Sequence, residues 1–187
     1  EAKGQTDVAA SHYARGLSYE RGNAELNTRL ITVLERTDQK QRAADERKRY
    51  ASVLLEQGQR EQACEQYQRA AELVPSDPLP LERIVDLSVE RQDGAGARQA
   101  ADRLVDVYLQ LGLSEQAKGV YPRLLMLAPR DQELRERLAE THASLNEHSA
   151  AASIYRELAN DDVERKRFDL AQRRLRRILE LQPDDTG

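Results

Sequence analysis

Gly58-Gln-Arg-Glu-Gln-Ala63-Cys-Glu-Gln-Tyr67-Gln-Arg-Ala70-Ala-Glu-Leu73-Val-Pro75 is the stretch that decides the fold, because the chain repeats it. From Gly112 the same internal spacings give Ala117, Tyr121, Leu124, Leu127 and Pro129. From Lys166 they give Ala171, Leu175, Ile178, Leu181 and Pro183. The offset is constant, since 117 − 63 = 54 and 171 − 117 = 54. Aligned without gaps, residues 58–83 and 112–137 share 11 identities in 26 positions, where unrelated chains of this composition would share about two. Arg177 and Asp185 extend two of those columns into the third copy, and Gly4, Ala9, Tyr13 and Gly16 open the chain with a partial fourth. A fixed period of this length means a row of stacked units, each sealing its core on its neighbour.

Composition agrees. The 187 residues are 39% hydrophobic and 33% charged, with one Phe and no Trp, and the mean hydropathy is −0.79. Narrow apolar stripes on many exposed helices suit those values better than one thick core. A net charge of −4 supplies no global field toward nucleic acid or an anionic membrane. The basic residues are mostly Arg, 24 against five Lys, as is common in Ala- and Arg-rich bacterial proteins. The lone Cys64 excludes an internal disulfide and a cysteine metal cluster. No run approaches 18 apolar residues, so no membrane span is expected. No signal peptide is visible. The chain starts at Glu1 in mid-repeat, which suggests a fragment of a longer protein, and the expected compartment is the cytoplasm.

Periodicity and punctuation predict helices throughout and no strand. After residues 1–5, read as frayed, Thr6 or Asp7 is expected to cap a helix running to about residue 21. Further helices are expected over about 24–36, 41–57, 60–73, 79–91, 95–111, 115–127, 132–145, 148–165 and 168–182. Gly58 and Gly112 stop two of them, and Pro75 stops another. Ser76-Asp77-Pro78 is a cap followed by a proline at the first helical position. Ser114 and Asp131 are the expected caps of the helices that come after them, and Asp93-Gly-Ala-Gly96 reads as a turn.

The pattern Gly-x4-Ala-x3-Tyr-x5-Leu-x-Pro, preceded by an apolar helix, resembles the tetratricopeptide repeat family. Residues 44–77 carry the resemblance best, through Tyr50, Ala51, Leu54, Gly58, Ala63, Tyr67, Ala70, Leu73 and Pro75. Residues 98–131 match nearly as well and 152–185 more loosely. The departure is an extra helix between hits, over 79–91 and 132–145, so that one long helix serves two overlapping repeats. The resemblance implies an all-α, right-handed α-α superhelix, here of about nine helices and three per period. The expected organisation is one solenoid domain over 1–187, with a partial repeat at 1–43, periods at 44–97 and 98–151, and a C-terminal repeat at 152–187.

Such repeats bind an extended segment or helix in the groove lined by their first helices. Carried over by position, the groove residues are Asp45, Lys48, Ser52, Leu55 and Glu56, then Gln99, Asp102, Asp106, Leu109 and Gln110, then Ser153, Arg156, Asn160 and Glu164. Members that grip a C-terminal carboxylate use paired Lys and Asn positions; Lys48 fits one, whereas Ser52 and Asp106 depart from the pattern. Tyr13, Tyr67 and Tyr121 share one column and are read as packing residues. Pro122 lies inside the helix of 115–127, where it should remove the bond to the Lys118 carbonyl and bend the helix; a hinge there is one reading. The basic run Arg165, Lys166, Arg167, Arg173, Arg174, Arg176 and Arg177 has Asp161, Asp162, Glu164, Asp169 and Glu180 at helical pairing distances, which predicts a salt-bridged surface.

His12, His142 and His148 share no ligand spacing, and no nucleophile–base set or phosphate-cradling loop is present. The expected function is therefore that of a noncatalytic protein-interaction scaffold with no cofactor and no metal, whose partner is a protein or peptide. The alternatives are a homo-oligomerisation module, a possible homodimer through the apolar face of the opening half-repeat, and, less expected, nucleic-acid or anion binding through the basic C-terminal helix.

Overall fold

Short polar side chains start three of the helices at equivalent places. Asn23 Oδ1 accepts from the Leu26 N–H at 3.0 Å, Asp77 Oδ1 from the Leu79 N–H at 3.1 Å, and Asp131 Oδ1 from the Glu133 and Leu134 N–H groups at 3.0 and 3.2 Å. Each satisfies a donor that the first helical turn leaves without a partner. At six other joints the chain turns through a left-handed residue: Asp38, Gly58, Gln92, Gly112, Asn146 and Lys166, with φ between 55° and 75°. Around each, two main-chain bonds close the helix end. At Gly58, for example, the Gln59 N–H donates to the Leu54 carbonyl at 2.8 Å and the Gly58 N–H to the Leu55 carbonyl at 3.0 Å, the Schellman arrangement.

The computed structural model describes residues 2–182, with side chains from residue 6 onward. Pro183 and Asp185, expected to close the third copy, lie outside the described residues. Among the described residues are ten helices: α1 (Ala2–Tyr19), α2 (Ala24–Arg36), α3 (Lys40–Glu56), α4 (Arg60–Leu73), α5 (Pro78–Glu90), α6 (Gly94–Gln110), α7 (Ser114–Leu125), α8 (Gln132–Ser144), α9 (His148–Glu164) and α10 (Phe168–Leu181). The described residues contain no strand. Helix starts recur at 24, 78 and 132, at 40, 94 and 148, and at 60, 114 and 168.

Contacts cluster into two compact units, Glu1–Ala100 and Ala101–Gly187. In the first, consecutive helices α1 to α5 pack each on the next. Its core holds Ala10, Leu30, Leu34 and Ala43, with Tyr13, Leu17 and Val33 against them. In the second, α7 to α10 pack likewise, around Ala139, Ala152, Tyr155, Leu158 and Ile178. Alanines set the spacing: Ala63, Ala117 and Ala171 are 0%, 0% and 3% exposed. A larger side chain there would force the helices apart, at about 1–3 kcal/mol.

Several local expectations are corrected. Helix α1 begins at Ala2, so Thr6 and Asp7 lie inside it rather than capping it. Ser114 is the first helical residue of α7, and Leu113 stands at the cap position without a side-chain bond. Asp93-Gly-Ala-Gly96 is a helix start rather than a free turn: the Gly96 N–H donates to Asp93 Oδ1 at 2.9 Å. Helix α7 ends at Leu125 instead of 127, and Leu127 is exposed. Past Pro122 its end closes with the Leu127 N–H on the Leu124 carbonyl at 3.1 Å, a tighter i→i−3 bond that stops the α-helix. Leu175, aligned with buried Tyr67 and Tyr121, is 48% exposed.

The basic run is not simply a paired surface either. Asp162 is fully buried and Arg174 nearly so. Arg174 Nη1 donates to Asp162 Oδ2 and, at 3.1 Å, to the Leu158 carbonyl. Arg167 Nη2 lies 2.6 Å from Asp162 Oδ1, and Glu136 Oε2 lies 3.3 Å from Arg174 Nη2. Arg177 pairs with Glu180 at 2.7 Å on the surface, as expected.

Candidate functional site

The long helices α3, α6 and α9 carry the groove residues, and none of the fourteen is buried. In α3, Lys48 Nζ sits 2.9 Å from Asp45 and 2.6 Å from Asp77 Oδ2. Burial pulls its pKa down, but the hydrogen bonds it donates to Asp77 and Asp45 outweigh that and leave the ammonium harder to deprotonate than usual. Lys48 is thus engaged in tying α3 to the start of α5. Ser52 Oγ lies 3.3 Å from the Tyr67 hydroxyl.

Three of the five residues of α3 line two concavities of the first unit, and Asp45 and Lys48 line neither. Ser52 and Glu56 face one with Leu17, Arg21, Asn27 and Tyr50. Leu55 lines another with Arg83, Asp86, Leu87, Val89 and Glu90 of α5. In the second unit, Asp102, Asp106 and Leu109 come together in a concavity with Tyr121, Arg137 and Glu140. The last two concavities are built on the same positions: Leu55 and Leu109, Arg83 and Arg137, Asp86 and Glu140 each stand 54 residues apart. Gln99 and Gln110 are exposed, and so are Ser153, Arg156, Asn160 and Glu164 along α9.

The concavity of the second unit carries more acidic than basic residues. Tyr121 donates its hydroxyl proton to Asp102 Oδ1. Burial first, then that hydrogen bond, pushes the phenol well above its ordinary value. Arg137 Nε lies 3.8 Å from Asp102 Oδ1, and its Nη1 lies 3.3 Å from Glu140 Oε2. Asp102, the largest influence, holds the Arg137 pKa up. Three carboxylates therefore face one guanidinium across an open concavity of about 220 Å³. That is smaller than the cavities that enclose small molecules. Among the described residues no group of three or more His, Cys, Asp or Glu is placed to hold a metal ion. No described helix is long and apolar enough to cross a membrane.

No protein-family model matches the chain, and no curated protein does. Among solved structures, YrrB, a TPR protein with an unusual peptide-binding site, is 16% identical over 83% of this chain and 93% of that one, with a TM-score of 0.33. TTC0263, a thermophilic TPR protein of Thermus thermophilus, is 20% identical over 76% of this chain and 93% of that one, with a TM-score of 0.30. BtubC from P. vanneervenii is 12% identical over 98% of this chain and 91% of that one, with a TM-score of 0.41. The chain is similar to tetratricopeptide repeat proteins.

The positions the sequence singles out lie on α3, α6 and α9. It misses Arg83, Asp86, Arg137 and Glu140, which come from the intervening helices α5 and α8. Their signal was present, because Arg83 and Arg137 are identical columns of the repeat and Asp86 and Glu140 are acids at one spacing.

Proposed function

We propose that the chain is a noncatalytic scaffold that holds an extended segment or a helix of a partner protein in these grooves, and that the groove of the second unit takes a cationic stretch. The recurrence of one concavity, Leu55–Arg83–Asp86 and again Leu109–Arg137–Glu140, carries this reading. A surface built twice from the same columns presents an apolar floor flanked by fixed charges at two places. Asp102 and Glu140 are already oriented by Tyr121 and Arg137, so little side-chain freedom is lost when a ligand arrives. Lys or Arg side chains of the ligand would meet Asp106 and Glu140, while an apolar residue covers Leu109.

Selection of peptides displayed on phage tests the proposal directly. The wild type should enrich peptides with two or more basic residues, and Asp102→Lys combined with Asp106→Lys should weaken the selected peptides by at least about tenfold, or 1.4 kcal/mol. No enrichment by the wild type, or equal affinity for both proteins, would reject the groove as the binding surface.

A further inference from the structure

Helices α3 and α9 offer nearly the same buried surface to the helix that follows each of them. Ala43, Ala44 and Ala51 of α3 recur 108 residues on as Ala151, Ala152 and Ala159 of α9, and all six are buried. The following helices, α4 and α10, pack on them. Both are 14 residues long, and they bury Ala63 and Ala171 at equivalent places. Two such pairs in one chain can exchange members during folding, and a helix of a second chain can enter the same seat. Mispairing of this kind is a characteristic fault of repeated units.

One buried difference between the two seats carries a charge. Asp162 of α9, with no exposed surface, stands where α3 has Leu54. Arg174 of α10 reaches its Oδ2, and Arg167, just before α10, brings Nη2 to 2.6 Å from its Oδ1. Arg167 Nη2 also donates to Gln132 Oε1 at 2.6 Å, and Glu136 Oε2 lies 3.3 Å from Arg174 Nη2. The columns of Arg167 and Arg174 hold Gln59 and Gln66 in the first copy, and Leu113 and Val120 in the second.

Each wrong pairing is therefore penalised. With α4 seated on α9, Asp162 would face Gln59 and Gln66 and lose both cations. With α7 there, it would face Leu113 and Val120. With α10 seated on α3, Arg174 would take the place of Gln66, whose Oε1 accepts from Arg47 Nη1 at 2.6 Å. Two guanidiniums would then meet beside Leu54, with only Glu35, already 2.8 Å from Arg47, to serve both. A buried pair broken in this way disfavours the mismatch by about a hundredfold or more.

We propose that the Asp162–Arg174–Arg167 cluster is a pairing key, by which α9 accepts α10 and rejects α4 and α7, whether they come from the same chain or from another. The cluster acts through what it excludes, so it need add nothing to net stability. It is separate from the grooves and does not depend on them.

Refolding the full chain from urea at about 100 μM tests the proposal, because mispaired species form in that range. Wild type should return as one monomer with a single set of amide resonances. Asp162→Leu with Arg174→Val should raise the mispaired fraction at least about tenfold, read as dimer in sedimentation and as second amide resonances. Asp162→Asn with Arg174→Gln, which keeps polar groups without charge, should do the same. Both variants should retain wild-type helical circular dichroism. As a control, Arg177→Gln with Glu180→Gln removes a surface pair of the same helix and should refold as wild type does. A single monomeric species from either folded variant overturns the proposal, and so does a wild type or control that returns as a mixture. Loss of helical circular dichroism in both variants would show that the cluster serves stability rather than the choice of helix, and would overturn it too.

Discussion

Asp162 stands where equivalent positions of the other copies hold Leu54 and Tyr108, both buried and neutral. Its carboxylate is viable there only because Arg174 and Arg167 reach it. Asp162→Ala would leave buried Arg174 with only the Leu158 carbonyl and Glu136, so it should cost about 3 kcal/mol, the low end for a broken buried pair. Replacing both, Asp162→Leu with Arg174→Val, should be near neutral or stabilising, since Glu136 and Arg167 are partly exposed and can turn to water. Urea denaturation of the three proteins checks both outcomes. Tyr121 gives a second expectation. Its pKa is raised in the folded chain by burial and by Asp102, whereas an unfolded tyrosine ionises near pH 10. The folded state then binds the extra proton, so this contribution to stability is complete below about pH 10 and is lost as pH rises further. Ultraviolet titration should show a fraction of tyrosine ionising late, and Tyr121→Phe should reduce that fraction. Neither feature was legible from residue types alone. Asp162 and Arg174 read as members of a charged run, because the sequence does not show that position 162 faces inward until the column Leu54–Tyr108–Asp162 is compared.

At the scale of elements, most helix limits were readable, with 24–36 and 60–73 matching residue for residue. Apolar stripes, Asx caps and the glycines at 58 and 112 all pointed the same way. Four of the six left-handed joints escaped notice because Asp38, Gln92, Asn146 and Lys166 fill them instead of glycine. A non-glycine residue there costs about 1 kcal/mol or more, which the two main-chain bonds of the cap offset. Pro122 was legible as a fault, and its consequence is a helix of 12 residues where α4 and α10 have 14. Replacing it with the residue type of α4, Pro122→Gln, should restore the bond to the Lys118 carbonyl and raise stability by about 1–3 kcal/mol. Hydrogen exchange should then show the amides of 126 and 127 protected; unchanged exchange and unchanged stability would mean that α7 ends early for another reason.

Within each unit, the main helix contacts run between consecutive elements. Stability in such an arrangement is a sum of local terms and neighbour terms, so damage stays near its source. Native-state hydrogen exchange should be slowest in α3, α4 and α9, which each bury three or more alanines or leucines almost completely, and faster in α1. Asp162→Ala should accelerate exchange in α9 and α10 while leaving α2 to α4 unaltered; uniform acceleration would show a single cooperative unit instead. The joints bring a further constraint. They are closed by main-chain bonds, so their composition can drift at a cost of about 1 kcal/mol while their length cannot. One inserted residue would rotate the rest of a helix by about 100°, bringing Gln62, Gln116 or Leu170 to the places where Ala63, Ala117 or Ala171 now sit. A gene for this chain can therefore accept many misspellings at its hinges, yet it can grow or shrink safely only by whole paragraphs.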